Sequence, residues 1–553
     1  MKFKFRPSIL LSPTVRFLFR QLKGNRLQAV LNATSGLLLV GLDLAFVWAT
    51  KRAVDIATLP SPTHNAATDL HPALALIAFL MVLRIAVSLG SRWIRAILGV
   101  KAQNHMRREL FERLLCCQWV SLKRHHTAAL TNRLERDVAD VVSFTTETVP
   151  AVFTTVAQFI GAFCLLFFMD HTLAIIIILL IPFFALSAKA YARPMRRLSH
   201  RARTHDSAVW AVIQETLSRI LVVKSIAHTA PFLGPLKEQQ QAWHQCILKR
   251  TKYSTWSSGL MNFGFAMGYF LTFAWGACRL ADGSITYGAM LAFVQLVGQI
   301  QSPVRSLSQF VPAFITAFTA ADRLTELERI PLDDTAPHHA PQPAAEEKAP
   351  GIRFEKVTFS YTKVSRKIFE GFTYDLPPQS VTAVMGETGT GKTTLVRLML
   401  GLITPTEGKV EFYGTDTNSV PAYVPQGNSL FSGTVKSNLL LMACPQATDE
   451  ELKKALWCAA ADTFVMKRPL GLNTACGEAG DGFSEGQAQR IAIARCLLMP
   501  SSVKIFDEAT SSLDPETESI VLERIAQTYR HHTLVFITHR PEVLKYATQV
   551  LRL

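Results

Sequence analysis

The chain has 553 residues, a formal net charge of +16 at pH 7 and a 49% share of hydrophobic residues. This length exceeds one ordinary domain, and the apolar share is high for a soluble protein. The Lys and Arg residues lie between apolar runs rather than in one aromatic-flanked stripe, which argues against a nucleic-acid partner. The nine cysteines form no CxxC or Cys/His spacing, which argues against a zinc site.

Six apolar runs occupy the first part of the chain. A bilayer core of about 30 Å requires roughly 20 apolar residues per helical span. The runs are Leu27–Ala49, Ala73–Ile97, Val149–Met169, Leu173–Ala188, Gly259–Cys278 and Tyr287–Phe310. The third and fourth runs almost adjoin, so we expect them to form a tight hairpin. The sequence therefore predicts an all-α transmembrane domain of six spans within residues 1–330, in contact with membrane lipid.

The charge of the loops predicts the orientation of these spans. Basic residues are concentrated in 101–136 and 189–252, whereas the loops on the other side contain few, such as Lys51, Arg52 and Arg279. The positive-inside rule then places both termini and both long loops on the cytoplasmic side of a plasma (inner) membrane. The two basic stretches have helical periodicity and little Gly or Pro, so we expect spans two to five to continue into the cytoplasm as two helical hairpins.

Two ionisable residues, Asp43 and Arg84, interrupt the first two spans. An ionisable group in a span usually faces a cavity or a partner, because burying it in lipid is costly. These residues could line a substrate path, or they could pair inside the helix bundle, and the sequence leaves both possibilities open.

The second part of the chain has a different composition. Residues 331–350 are rich in Pro, Ala and charge and have no apolar periodicity, which is typical of a linker. Residues 351–553 then open with an alternating strand pattern, GIRFEKVTFSY, and lack long apolar runs. We therefore expect a soluble α/β domain over residues 351–553.

A phosphate-binding loop is predicted near the start of this domain, where GETGTGKT follows a strand, opens a helix and fits GxxxxGK[ST]. Its glycines let backbone N–H groups turn toward phosphate oxygens, and the helix N-terminus adds its dipole. We expect Lys392 to reach the β- and γ-phosphates and the Thr393 hydroxyl to ligate Mg²⁺. The predicted nucleotide-binding residues here are Gly386, Glu387, Thr388, Gly389, Thr390, Gly391, Lys392, Thr393 and Thr394.

Further chemistry-bearing residues follow other predicted strands. The apolar strand VKIFD ends in Asp507 and Glu508, so one acid can hold the Mg²⁺ shell while its neighbour accepts a proton from the attacking water. Two more strands end near Gln426 and His539. The segment FSEGQ stands at a predicted helix N-terminus, another end that attracts phosphate, through Ser484, Gly486 and Gln487.

Taken in this order, the motifs resemble those of half-size ABC transporters of the exporter type. The resemblance covers nearly the whole chain: LTNRLERDVADV and QETLSRILVVKSIAHT resemble two cytoplasmic coupling regions, and SSLD, ending at Asp514, resembles the D-loop between subunits. It implies a six-helix transmembrane domain followed by an α/β P-loop ABC ATPase domain. It also implies ATP and Mg²⁺ as cofactors, and ATP hydrolysis coupled to transport by alternating access.

The resemblance also implies roles for single residues. Tyr361 would stack on adenine, although a lone strand tyrosine could equally belong to the core. Gln426 would ligate Mg²⁺ and sense the membrane domain, and Asp507 would be the Walker B acid. Glu508 would be the general base, and His539 would contact the γ-phosphate.

A second chain is an implied partner. FSEGQ resembles the signature usually written LSGGQ, in which Ser484, Gly486 and Gln487 would complete the ATP site of the opposite subunit. Glu485 stands where the signature has a glycine, so its carboxylate would either lie beside a γ-phosphate or point outward. Because the general base Glu508 is retained, a homodimer is favoured over a heterodimer.

We compare three alternatives with an exporter of a small molecule, lipid or peptide, and two of them remain open. A siderophore importer on the exporter fold would share every motif, and growth dependence on an iron chelate would separate the two. A regulatory half of a heterodimer would have no ATPase activity alone. A soluble ABC ATPase of translation or repair is excluded by the six apolar spans.

Overall fold

The structure is a computed structural model. It describes residues 13–24, 26–58, 66–125, 127–226, 230–333, 349–361, 366–387, 389–414, 420–441, 447–477 and 480–553. The chain separates into two compact units. The first comprises Met1–Arg113 and His126–Arg329, and the second comprises Leu114–His125 and Ile330–Leu553. Most of the predicted linker, 334–348, lies outside the described residues.

The first unit is helical. Its helices are α1 (Pro13–Gly24), α2 (Arg26–Thr58), α3 (Ala66–Leu115, which ends inside the second unit), α5 (Thr127–Asn132), α6 (Val138–Ser143), α7 (Val149–Met169), α8 (His171–Ser218), α9 (Ile220–Ile226), α10 (Ala230–Ala281) and α11 (Tyr287–Glu328). Two π-helical turns, Arg133–Asp137 and Phe144–Thr148, join α5, α6 and α7. In the described part of the chain, three helical stretches are long and apolar enough to cross a membrane: Ala29–Thr58, Leu70–Leu115 and Thr127–Met169.

The other three predicted spans lie inside α8, α10 and α11, which have 48, 52 and 42 residues. At about 1.5 Å per residue, a helix of this length extends roughly 60 to 80 Å, far more than a bilayer core needs. Of the spans expected to continue as helix, the fourth and fifth extend well beyond their apolar runs within α8 and α10.

The third and fourth spans form the predicted tight hairpin, because Asp170 alone separates α7 from α8. Its Oδ1 accepts a hydrogen bond from the Leu173 N–H at 2.9 Å and caps α8. Its Oδ2 lies 3.2 Å from the indole nitrogen of Trp275 and 3.7 Å from the guanidinium of Arg279. The hairpin is thereby fastened to α10.

The two ionisable residues of the first spans form an ion pair. The Arg84 Nε lies 2.6 Å from the Asp43 Oδ1. This is the pairing between helices that the sequence allowed for, and it joins α2 to α3.

The described residues of the second unit form three sheets. Their strands are β1 (Gly351–Phe359), β2 (Phe369–Leu376), β3 (Val381–Met385), β4 (Glu407–Tyr413), β5 (Ala422–Val424), β6 (Gly433–Thr434), β7 (Ala475–Cys476), β8 (Val503–Asp507), β9 (Thr533–Ile537) and β10 (Gln549–Arg552). An antiparallel sheet has the order β2-β1-β4, a parallel sheet has the order β10-β3-β9-β8-β5, and β6 pairs with β7. In the parallel sheet all carboxyl ends meet at one edge, where ligands of α/β folds bind.

Helices pack against the parallel sheet and against one another. They are α12 (Lys392–Met399), α13 (Val435–Leu440), α14 (Asp449–Cys458), α15 (Asp462–Val465), α16 (Glu485–Leu498) and α17 (Pro515–Thr528). Successive strand residues such as Leu534 and Val535 belong to two different apolar clusters, because side chains alternate between the faces of a strand. Both faces are therefore buried, which explains why β8 and β9 are so apolar in sequence.

A short helix from the region between the second and third spans belongs to this second unit. The helix, α4 (Trp119–Lys123), places Trp119 and Val120 against the apolar cluster around β1 and β3. The coupling motif at residues 130–141 instead lies in the first unit, in α5, α6 and the turn between them. Of the second motif, residues 227–229 lie outside the described residues.

Candidate nucleotide-binding and hydrolysis site

The phosphate-binding loop joins β3 to α12, as the sequence predicts. Gly391 ends the loop at φ 108°, a left-handed conformation that favours glycine, and a Cβ there would lie 2.8 Å from Ile368. The Nζ of Lys392 donates a hydrogen bond to the Gly386 carbonyl at 2.7 Å, so the lysine is folded into its own loop. Thr388 lies outside the described residues.

An acidic pair ends β8, between the strands that carry the other site residues. Asp507 is 6% exposed, and its Oδ2 accepts a hydrogen bond from the Tyr423 hydroxyl at 3.1 Å. Burial is the main cause that raises the pKa of Asp507, and the charge of Glu508 adds to it, whereas Tyr423 and Lys392 oppose it. Glu508 follows at φ 48°, and a non-glycine residue held in this region is typical of functional sites.

The Glu508 carboxylate connects residues from four motifs. Its Oε1 lies 2.9 Å from the His539 Nε2 and 3.9 Å from the Lys392 Nζ. Its Oε2 accepts a hydrogen bond from the Gln426 amide nitrogen at 2.6 Å. The His539 Nε2 also lies 2.8 Å from the Lys392 Nζ. We call these four residues the Glu508 cluster, and such a cluster can orient a water and accept its proton.

Tyr361 follows β1 and contacts α12, the helix that the phosphate-binding loop opens. Its hydroxyl is 3.3 Å from the Thr394 Oγ1 and accepts a hydrogen bond from Arg397. Its ring packs edge-on against Phe359 at 5.0 Å between ring centroids. The Arg397 guanidinium also lies over the Trp119 ring, 4.6 Å from its centroid. A residue of α4 is thereby connected to the predicted adenine-stacking tyrosine.

The signature residues stand at the start of α16, as predicted. Ser484 caps the helix through a reciprocal pair of hydrogen bonds with Gln487, at 3.3 and 3.2 Å. A Cβ on Gly486 would lie 2.8 Å from the Ser512 carbonyl oxygen, so this glycine lets the D-loop approach. Within the described parts of the chain, neither Ser484 nor Gln487 has a hydrogen bond or ion pair with the Glu508 cluster.

The residues that hold the D-loop were missed by the sequence analysis. Arg540 donates hydrogen bonds to the carbonyls of Ser511 at 2.6 Å and Leu513 at 2.9 Å, and to Glu518 at 2.7 Å. Gln489 of α16 bonds to the Ser511 hydroxyl at 3.2 Å. The sequence signal that could have indicated Arg540 was its position directly after the predicted site residue His539.

The predicted magnesium ligands offer the donor atoms that Mg²⁺ prefers. Thr393, Gln426 and Asp507 carry a hydroxyl, an amide and a carboxylate oxygen, and the Gln426 amide nitrogen is already engaged with Glu508. No group of three or more His, Cys, Asp or Glu side chains in the described residues could hold a metal ion. A magnesium ion here would therefore rely on nucleotide phosphates for further ligands, as is usual for this ion.

Comparison with known proteins decides the family. Residues 31–304 match the family model "ABC transporter transmembrane region", and residues 369–511 match "ABC transporter". Over 439 residues the chain is 30% identical to an ATP-dependent lipid A-core flippase of Desulfotalea psychrophila, covering 77% of this chain and 75% of that protein. This chain belongs to the ABC transporter family. The resemblance recognised in the sequence is thus confirmed.

Other comparisons agree with this ABC transporter assignment. A lipid A-core flippase of Bordetella avium is 26% identical over 481 residues, covering 85% of this chain and 81% of that protein. The solved structure of a bacterial Atm1-family ABC exporter with ATP bound matches the fold with a TM-score of 0.79 at 22% identity, covering 96% of this chain and 94% of that one. The predicted fold class, a helical transmembrane domain followed by an ABC ATPase domain, is confirmed.

The family membership also confirms the predicted activity. The chain is an ATP-binding membrane transporter of the exporter type, in which ATP hydrolysis is coupled to transport. Transporters of this kind work as dimers. All four residues of the Glu508 cluster belong to one chain. The signature of the same chain lies at the start of α16, whereas the phosphate-binding loop lies at the start of α12.

Proposed function

We propose that two copies of this chain form a homodimeric Mg²⁺-ATP-driven exporter of the plasma (inner) membrane. The transmembrane domain would occupy residues 1–330, a linker 331–350, and the ATPase domain 351–553. Both termini and the ATPase domain would be cytoplasmic, because the basic residues are concentrated in the stretches 101–136 and 189–252.

The observation that carries the hydrolytic part is the Glu508 cluster. Glu508 would be the general base, with His539 and Gln426 as its catalytic neighbours. Thr393, Gln426 and Asp507 would ligate Mg²⁺. The proposed nucleotide-binding residues are Tyr361, Gly386, Glu387, Thr388, Gly389, Thr390, Gly391, Lys392, Thr393, Thr394, Ser484, Gly486 and Gln487.

Several features favour a homodimer over an asymmetric pair. The general base, the Walker B acid and the phosphate-loop lysine are all retained as Glu508, Asp507 and Lys392. Glu485 is the departure from the signature, and its side chain is exposed at the first turn of α16. A chain with a complete set of hydrolytic residues can serve both sites of a symmetric dimer.

The substrate is best sought first among amphipathic lipids. Two of the relatives are named lipid A-core flippases, and their match covers most of both chains. A drug-like molecule or a peptide would be tested next. The transport assay would use inverted vesicles, in which an exporter moves substrate from the outer medium inward.

The decisive variant is Glu508→Gln. It keeps the size of the side chain but cannot accept a proton, so ATP hydrolysis should fall about 10²- to 10⁴-fold while ATP binding persists. The measurements are steady-state ATPase activity and nucleotide binding by the purified full chain in lipid. Near-normal turnover would remove Glu508 from its proposed role.

The matched control is Glu516→Gln, in the first turn of α17 and away from the Glu508 cluster. It should retain wild-type turnover. The wild-type chain, purified without any other transporter subunit, should hydrolyse ATP. Complete inactivity of the pure chain, restored by a second gene product, would contradict the homodimer.

A further inference from the structure

A cavity with both polar and apolar lining lies among the helices of the transmembrane unit, between α2, α3, the π-helical turn Phe144–Thr148 and the amino-terminal half of α7. Its volume is about 190 Å³. Polar and charged residues in its lining include Asn32, Asp43, Ser91, Arg95, Glu147 and Gln158. The helices that carry them have mean hydropathies of 1.8 to 2.4 in their spanning windows, so this lining contrasts with its surroundings.

Several of the polar groups satisfy one another and hold the walls together. The Asn32 amide donates to the Thr146 carbonyl at 2.7 Å, and the hydroxyls of Ser35 and Ser91 are 3.1 Å apart. Asp43 is neutralised by its ion pair with an arginine of α3. These groups therefore account for the structure of the walls without a ligand.

Two charges in the lining are not accounted for in this way. Arg95 donates from Nε to the Ser91 carbonyl at 3.3 Å, and within the described residues its two terminal amino groups have no hydrogen bond and no carboxylate partner. Glu147 accepts a hydrogen bond from the Ser143 hydroxyl at 3.2 Å on Oε2, and its Oε1 has no partner among the described residues. The two charges line one cavity but form no ion pair with each other.

Arg95 is half-buried near the end of the second span and Glu147 is exposed just before the third, so both charges can meet a ligand that enters the cavity. A guanidinium presents paired N–H donors that match the oxygens of a phosphate, and a carboxylate accepts from an ammonium. The lining therefore offers complementary contacts to a ligand that carries both a phosphate and a primary amine.

The volume limits what can enter. Sites for whole drug-sized molecules usually measure about 300 to 1,000 Å³, well above this cavity. A small polar head group fits this limit, whereas an attached acyl chain would have to remain among the apolar side chains outside. A ligand with both parts is an amphiphile.

We propose that this cavity is the head-group site for a zwitterionic phosphoethanolamine amphiphile, with Arg95 binding the phosphate and Glu147 the ammonium. This inference rests on the proposed transport function and names its substrate class. The site lies between helices of one chain, near the ends of α2 and α3 that the proposed orientation places toward the cytoplasm.

The test is equilibrium binding of radiolabelled dihexanoyl-phosphatidylethanolamine to the purified full chain in detergent. Arg95→Gln and Glu147→Gln should each weaken binding at least about tenfold, since each removes a charge-assisted contact. Arg95→Lys keeps the cation and should lose less. The matched control, Arg92→Gln, lies one turn earlier on α3, has an exposed side chain and does not line the cavity, so it should bind like the wild type.

Two competitors separate the possible ligand chemistries. Soluble glycerophosphoethanolamine has the head group without tails and should compete at least about tenfold less well, because it loses the apolar contacts. Equal competition would show that a free phosphoethanolamine compound, not an amphiphile, is the ligand. Dihexanoyl-phosphatidylglycerol should also compete poorly, and equal competition by it would remove Glu147 from the site.

ATPase activity of each preparation separates this inference from the proposed function. If the wild-type chain hydrolyses ATP but its lipid binding is absent, or is unaltered by Arg95→Gln and Glu147→Gln, the head-group site is wrong and the exporter stands. If the wild-type chain has no ATPase activity, the proposed homodimer is wrong. Size-exclusion elution identical to wild type shows that each variant is folded.

Discussion

Glu485 places a carboxylate at the start of α16, where this chain departs from the family signature. An acid in the first turn of a helix is favourable there, by about 0.3 to 1 kcal/mol, because the helix N-terminus is electropositive. Near the γ-phosphate of a partner's ATP the same charge would be repulsive. Within the described parts of the chain it has no hydrogen bond and no ion pair, so its cost depends on where it points in the dimer.

Removing the Glu485 charge tests whether the carboxylate faces the phosphates. Glu485→Gln should lower the KM for ATP about fivefold if the carboxylate faces the phosphates, since that corresponds to about 1 kcal/mol of repulsion. The measurement is ATPase activity against ATP concentration. Glu516→Gln, which also removes a first-turn acid but from α17, serves as the control and should leave KM unchanged. An unaltered KM in Glu485→Gln would mean that the side chain points outward.

Among the elements, β8 and α16 are joined by a lysine inside the core. Lys504 is fully buried and donates hydrogen bonds to the carbonyls of Cys496 and Leu497 at 3.3 Å and of Met499 at 3.0 Å. These carbonyls lie in the last turn of α16 and just after it, where the regular helical hydrogen bonds end. The strand that carries Asp507 is thereby fastened to the helix that begins with the signature.

The burial of Lys504 predicts that the stability of the protein depends on pH. Burial lowers the pKa of Lys504 from 10.5 to about 8, so the folded protein binds fewer protons than the unfolded chain between these values. Stability should therefore rise as pH increases from about 8 to 10.5, by up to roughly 3 kcal/mol from this group. Lys504→Met should lose that rise. The measurement is the thermal midpoint of wild type and variant across this range, and parallel curves would contradict the prediction.

A second link between elements joins α4 to α12. Trp119 of α4 stacks on Arg397, which donates to the Tyr361 hydroxyl. Trp119→Ala should raise the KM for ATP about three- to fivefold, because it releases the arginine that holds Tyr361, the tyrosine we propose to stack on adenine. A matched control is Trp457→Ala, which removes another arginine–tryptophan contact, 4.2 Å from guanidinium to ring, elsewhere in the ATPase domain. An equal effect of both variants would contradict a specific link.

For the whole molecule, the arrangement of motifs agrees with the dimer in which transporters of this kind work. The signature at Ser484 makes no hydrogen bond or ion pair with the Glu508 cluster within the described residues, so each ATP site would draw on two chains. Symmetric assembly then gives two equivalent sites that close together.

Mixed dimers test this dependence. Differently tagged wild-type and Glu508→Gln chains are combined, and the mixed dimer is purified. Its ATPase activity should be well below half of that of the wild-type dimer, because the site that cannot hydrolyse its ATP keeps the other site closed. Activity in lipid vesicles is the measurement, with a doubly tagged wild-type dimer as the control. Half of the wild-type activity would indicate independent sites.

Local patterns were sufficient to predict most of the ATPase site. The phosphate loop lies within nine residues, and its chemistry depends on glycines and a helix N-terminus that are adjacent in the chain. Asp507, Gln426 and His539 were predictable because each follows an apolar strand, and parallel strands end at one edge of a sheet. Charge and apolar length predicted the transmembrane domain for equally local reasons.

Other features depend on contacts between residues far apart in the chain. The sequence alone determined that the chain joins a membrane domain to an ATPase, and it predicted which residues would carry the hydrolytic chemistry. Only the tertiary structure decided that Trp119 reaches Arg397, that Lys504 caps α16, that Arg540 holds the D-loop, and that Arg95 and Glu147 share a cavity without pairing. Packing brings these side chains together, and no repeat or spacing in the sequence encodes it.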